Sequence, residues 1–154
     1  MILPAYRIDA SGIPGAGQGV FFTEAIKAAS VIVSPDKIDR TYTRADLDAF
    51  GPDSPEDAAS VRWFEGHYTV SLDWPDECYI NHSFTPNGLW HLGFVFALRD
   101  IAPGEELTID YRLIVGDHER LPFDDAETGQ PIIGLSWREN LRQTTATLAK
   151  LLAD

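Results

Sequence analysis

Hydrophobic positions along the chain come in short runs, not in long periodic stretches. "GVFFT" (19–23), "SVIV" (30–33), "YTVSL" (68–72), "GFVFAL" (93–98) and "ELTIDYRL" (106–113) concentrate aromatic and β-branched residues, and Gly, Pro, Asn and Asp stand between them. Side chains of this kind suit a pleated, half-buried surface, so the pattern predicts a turn-rich, mainly β fold with short helices. Two stretches carry helix signals. "TRADLDAF" (43–50) offers Thr43 as an N-cap. After Ser136, the S-x-x-E capping box with Glu139 and the near-helical recurrence of Trp137, Leu141, Leu148 and Leu152 predict a helix over 136–152. Residues 34–66, with the polar, proline-bearing "SPDKIDRTYTRADLDAFGPDSPED", read as a surface insertion and not as a linker. With no internal repeat, 1–154 reads as a single domain, of which about 5–115 is the core and about 116–154 a C-terminal segment.

Composition narrows the function classes. In 154 residues, 44% hydrophobic content is enough for a real core. The 24 acidic and 12 basic side chains give a formal charge of −12, a poor design for gripping a phosphate backbone, so direct nucleic-acid binding is disfavoured. The same charge draws cationic partners such as lysine-rich peptides, or serves solubility alone. A single cysteine, Cys78, excludes an internal disulfide and a zinc site built from several thiolates. "MILPAYRIDA" lacks the basic start and apolar stretch of a signal peptide, and no run approaches the roughly 20 apolar residues of a membrane helix. The expectation is a soluble, cytoplasmic or otherwise intracellular protein with no membrane partner.

Two segments concentrate candidate chemistry. "GIPGAGQGVFF" places glycines at 12, 15, 17 and 19 ahead of a strand, either as a turn that starts the strand or as bare backbone that a ligand approaches closely. It lacks the Lys-Ser/Thr ending of a phosphate-binding loop, which disfavours a nucleoside triphosphate. "NHSFTPN" (81–87) is either a tight turn, in which Asn and Ser bond local backbone and Pro86 fixes φ, or a polar binding element. Asn81-His82-Ser83 is also a glycosylation sequon. The four histidines, His67, His82, His91 and His118, fit no recognised metal spacing, so no metal ligand is assigned.

Taken in order, "GQGVF" (17–21), "INHSFTPN" (80–87) and "DIAPGEELTIDY" (100–111) resemble the SET domain of S-adenosylmethionine-dependent protein lysine methyltransferases. The resemblance implies a β-clip fold of small curved sheets, with the "NHS" segment tucked beside the loop before Tyr111 in a pseudoknot, and a C-terminal helix. It implies that Gly17, Gln18 and Gly19 lie against the methionine end of S-adenosylmethionine, that Asn81 and His82 hold the adenosine, and that Tyr111 is the catalytic tyrosine. Phe84 stands where relatives with a zinc-binding C-terminal extension have a cysteine, and that extension is absent from these residues. Trp137 is therefore the candidate lid, stacking on adenine or simply packing in the core. Ile109 would line the lysine channel and permit di- or trimethylation, or it fills the core while aromatics such as Tyr68 and Phe94 set the channel's width. The implied substrate is a lysine-containing, basic protein or peptide. A SET-like binding module without catalysis and a small metal-dependent hydrolase are the other readings.

Overall fold

In chain order the strands are β1 (Tyr6–Ala10), β2 (Gln18–Phe22), β3 (Val31–Val33), β4 (Tyr42–Thr43), β5 (Ser60–Phe64) and β6 (His67–Val70). They continue as β7 (Asn81–His82), β8 (Gly88–His91), β9 (Phe94–Ala97), β10 (Thr108–Ile109), β11 (Arg120–Asp124) and β12 (Pro131–Ile133). Helices α1 (Arg44–Phe50) and α2 (Pro55–Ala58) stand between β4 and β5, and α3 (Trp137–Leu151) follows β12. Single 3₁₀ turns run over Asp76–Tyr79 and Tyr111–Leu113. The computed structural model describes residues 1–36, 38–52 and 54–153; Lys37 and Asp53 of the segment read as an insertion lie outside the described residues.

Five small sheets share the strands: β1-β2, β3-β9-β8, β4-β6-β5, β11-β12 and the two-stranded β10-β7. All pairs are antiparallel except β7 with β10, which is parallel. The fold is thus the mainly β arrangement with a C-terminal helix that the sequence predicts. One core unites β2, β3, β9 and the segment before β10. Val20, Phe22, Ile32, Val95, Ala97 and Leu107 are fully withdrawn from water there, and Ile80 and Ile109 join them at the crossing of β7 and β10. Short strands suffice because each gives one or two side chains to this shared cluster, and burying apolar area there is the main stabilising term.

Local chemistry sets the ends of the elements. Thr43 caps α1 with a complete capping box: its hydroxyl accepts from Asp46 N–H while the Asp46 carboxylate accepts from Thr43 N–H. Residues 34–66 carry β4, α1, α2 and β5, and their Leu47 is fully buried. "ELTIDYRL" is not one continuous strand. It ends as strand at Ile109 because the Asp110 side chain accepts from Arg112 N–H and caps a 3₁₀ turn that begins at Tyr111. Helix α3 begins at Ser136, whose hydroxyl accepts from Glu139 N–H. Its buried face differs from the expected leucine stripe: Asn140 and Thr144 are the buried residues and Leu152 is 63% exposed. The helix docks by polar bonds, Asn140 Nδ2 to the Leu113 carbonyl at 2.6 Å and Thr144 Oγ1 against His91 Nδ1 at 2.8 Å.

Gly88 marks where β8 crosses the core most closely. A Cβ there would meet Val95 Cγ1 at 2.8 Å, Leu107 Cδ1 at 2.9 Å and the Thr108 carbonyl oxygen at 3.0 Å, whereas one at Gly66 would meet nothing within 4 Å. Gly88→Ala should cost about 1–3 kcal/mol in urea unfolding through overpacking, and Gly66→Ala should stay within about 0.5 kcal/mol of the parent. Equal stabilities for the two variants would contradict this packing.

Candidate functional site

The site begins with two chain segments too short to form a sheet on their own. β7 and β10 pair Asn81 with Thr108 and His82 with Ile109, and Ser83 N–H adds a bond to the Ile109 carbonyl at 3.0 Å. Asn87, only 3% exposed, reinforces the pair: its Nδ2 donates to the Glu106 carbonyl at 2.8 Å and its Oδ1 accepts from Thr108 N–H at 2.9 Å. An asparagine side chain offers the donor and acceptor of a peptide unit, so Asn87 acts as one more rung of the ladder.

The glycine-rich loop is tied to the same place by one carboxylate. Glu106 accepts from Ser11 Oγ at 2.7 Å, Gly12 N–H at 3.0 Å and Asn81 Nδ2 at 2.8 Å, and Asn81 Nδ2 also reaches the Gln18 carbonyl at 2.8 Å. A Cβ on Gly19 would collide with the Glu106 carboxylate, so this position needs glycine. Gly17 takes φ +78°, and nothing lies within 4 Å of where its Cβ would point. The loop therefore presents bare, open backbone at Gly17 beside a firmly held Gln18 and Gly19.

The Tyr111 backbone N–H donates to His82 Nδ1 at 3.0 Å, and the Tyr111 hydroxyl donates to the Ile80 carbonyl at 2.7 Å. Burial, with a smaller contribution from Cys78, pushes the phenol up to about 12, so it stays protonated at neutral pH. Because Nδ1 accepts, the proton of neutral His82 sits on Nε2. That nitrogen is buried without a hydrogen-bond partner among the described residues, and Asp125 Oδ1, from the turn joining β11 to β12, faces it at 3.7 Å. Burial lowers the His82 pKa, against the opposing pull of Asp110 and Asp125. Burial also works against the Asp125 carboxylate, but hydrogen bonds from Thr128 N–H and Oγ1 leave it below its ordinary pKa. Phe84 packs edge-on against the His82 ring at 4.7 Å, under the Arg112 guanidinium.

Gly17, Gln18, Gly19, Asn81, His82, Ile109 and Tyr111 thus converge. Ile109 is 4% exposed and belongs to the core cluster. Phe94 stands apart, 40% exposed beside Phe96 on β9. Trp137 and Tyr68 are also placed elsewhere: both line a cavity of about 700 Å³ with Arg44, Glu65, Asp117 and Glu119, which none of the converging residues lines. Tyr68 of β6 reaches Gly116, and Asn140 of α3 bonds the Leu113 carbonyl, so both elements pack on the chain that follows Tyr111. The structure adds three residues that the sequence reading did not single out, Glu106, Asn87 and Asp125. Glu106 and Asn87 lie inside quoted motifs, each directly before a buried residue, Leu107 and Gly88, and that was the available signal. Asp125 has no local signature because its partner is 43 positions away. Among the described residues no group of three or more His, Cys, Asp or Glu stands close enough to hold a metal ion, and no helix is long and apolar enough to cross a membrane.

The SET domain family matches residues 17–112, which include the end of the glycine loop from Gly17, β7, and β10 through Tyr111. No curated protein matches the chain.

Two histidines, His82 and His91, have pKa values lowered chiefly by burial. In the unfolded chain they take up protons near pH 6.5, before the folded protein does, so their contribution is complete above that pH and declines as pH falls below it. Thermal melts should give a lower Tm at pH 5.5 than at pH 7.5, and His91→Gln should flatten the slope. A Tm that holds or rises on acidification contradicts the neutral, buried imidazoles.

Proposed function

The chain belongs to the SET domain family, and on that premise we propose that it transfers methyl groups from S-adenosylmethionine to a lysine side chain of a protein. One observation carries the reading. The crossing of β7 and β10 brings the Tyr111 hydroxyl, the Ile80 carbonyl and the His82 ring to the side where Asn81 binds the glycine loop. The residues fit the cofactor: open backbone at Gly17 admits close approach of a ligand, and His82 Nε2 is a buried donor with no hydrogen-bond partner among the described residues. Gly17, Gln18, Gly19, Asn81 and His82 would hold it. When bound, S-adenosylmethionine supplies an electrophilic methyl group on a positively charged sulfur.

The chain's own contribution is placement. A lysine amine must be neutral to attack, although free lysine titrates near 10.4, and burial at this site disfavours the ammonium form. Tyr111 donates its only hydroxyl proton to the Ile80 carbonyl. Its oxygen is therefore left to accept an N–H from the amine, which turns the nitrogen lone pair away from Tyr111 and toward the incoming methyl group. With the phenol pKa raised to about 12, Tyr111 works as a neutral orienting group and not as a base. Fixing two reactants in line removes an entropic barrier, and such positioning is the main catalytic resource here. The acidic surface, 24 acidic against 12 basic side chains, favours a basic protein or peptide as acceptor.

Calorimetry with S-adenosylmethionine, followed by radiolabelled methyl transfer onto a panel of lysine-rich proteins, tests the reading. Tyr111→Phe should lower turnover by about 10² or more while cofactor affinity barely moves. Cofactor binding without transfer to any acceptor would favour a binding module, and retention of more than about a third of the activity by Tyr111→Phe would place the chemistry elsewhere. Dialysis against EDTA should change neither binding nor fold; loss of either would indicate a structural metal.

A further inference from the structure

The cavity lined by Arg44, Glu65, Tyr68, Asp117, Glu119 and Trp137 lies outside the cluster around Tyr111, and its polar groups are arranged for a ligand of definite charge. Tyr68 is 5% exposed and lines the cavity, and its hydroxyl, which keeps some accessible surface there, makes no hydrogen bond among the described residues. It stands 2.8 Å from the point where a Cβ on Gly116 would lie, and Glu119 Oε2 stands 2.5 Å from the same point. The Tyr68 hydroxyl and the Glu119 carboxylate therefore converge over a bare glycine at the cavity without a hydrogen bond to each other. Burial raises the Tyr68 pKa, so the hydroxyl is neutral and its oxygen can accept.

The surrounding charge decides what kind of donor. Arg44 is already committed, with Nε to Asp48 at 2.7 Å, Nη2 to Asp57 at 2.6 Å and Nη1 3.7 Å from Glu119. Buried Arg62 pairs with Asp117 and with the Leu135 carbonyl. These two guanidiniums pair with Asp48, Asp57, Asp117 and Glu119, and the exposed Glu65 also lines the cavity, so negative charge is in excess there. Trp137 supplies an aromatic wall, a surface that attracts a guanidinium or ammonium. The neighbouring groove along α3 shares Glu65 and Trp137 with this cavity and adds Arg138 and Arg142, so the carboxylate excess lies on the side of Asp117 and Glu119.

We propose that this cavity is a recognition site for a cationic side chain, guanidinium or ammonium, of the protein substrate, distinct from the lysine that receives the methyl group. The identity of the ligand rests on the methyltransferase reading; the binding of a cation does not. Glu119 and Glu65 neutralise the charge, the Tyr68 oxygen accepts one N–H, and Trp137 covers the flat face. The site would select acceptors with a second basic residue near the target.

Agmatine, a small guanidinium, is the probe for ¹⁵N NMR titration of the whole protein without cofactor. Saturable shifts should appear at Gly66, Gly116 and the Trp137 indole, with a Kd on the order of 1 mM. Tyr68→Phe removes a hydroxyl that has no partner in the free protein, so its Tm should match the parent while agmatine binding weakens about fivefold. Glu65→Gln, at an exposed position, should weaken binding about threefold. Agmatine should also inhibit methyl transfer competitively against a lysine-rich acceptor and not against S-adenosylmethionine. Absence of shifts, equal binding by both variants and the parent, or the same shifts with acetate would each overturn the site. Inhibition not competitive with the acceptor would overturn its assignment to the substrate. If the protein transfers no methyl group at all, the NMR titration still decides whether the cation site exists, so the two readings fail separately.

Discussion

The backbone N–H of Tyr111 donating to His82 Nδ1 holds the site together. β7 and β10 meet over only two residue pairs, and a ladder that short does not fix a side chain by backbone bonds alone. The ring of His82 extends it by one more bond, to the first residue after the Asp110 cap. That bond sets three things at once: the tautomer of His82, the point at which strand gives way to the 3₁₀ turn, and the direction from which the Tyr111 hydroxyl reaches the Ile80 carbonyl. Each follows from burial, because an imidazole withdrawn from water stays neutral and must use its accepting nitrogen within the protein.

Around this bond the polar groups form a connected set. Glu106 holds the glycine loop, Asn81 joins Glu106 to Gln18, and Asn87 joins the Glu106 carbonyl to Thr108. The exception is His82 Nε2, which faces Asp125 at 3.7 Å without a hydrogen bond. A buried donor left unmatched costs about 1–3 kcal/mol, an arrangement that a ligand or a small shift of the β11–β12 turn would relieve. The molecule thus carries two kinds of surface with no lining residue in common: a tightly bonded crossing with open glycine backbone at Gly17, and an acidic, aromatic cavity.

Much of this was legible in the sequence, and the limits were physical. Strand runs such as "GVFFT" and "GFVFAL" announce themselves because their side chains fill one shared core, and Thr43 and Ser136 mark helix starts because capping is local. Gly17, Gln18, Gly19, Asn81, His82 and Tyr111, which come from three separate motifs, are brought together by the crossing of β7 and β10 and the bonds to the glycine loop. What the pattern does not reveal depends on long-range packing. Trp137 and Tyr68 line a cavity that none of the converging residues lines, and the route of the chain after Leu113 leaves no trace in hydrophobic pattern. The buried face of α3 reads as polar because Asn140 and Thr144 dock by hydrogen bonds, which periodicity of leucines does not reveal. Asp125 meets His82 only through the β11–β12 hairpin, whose strands carry few buried residues.

The bond between Tyr111 and His82 can be observed directly in solution. In ¹⁵N-labelled protein at pH 7, NMR should show a trans-hydrogen-bond N–N coupling between the Tyr111 amide and His82 Nδ1, with the ring proton on Nε2. A His82 ring protonated at Nδ1, or a Tyr111 amide that exchanges freely with water and shows no such coupling, would contradict the account of how this site is built.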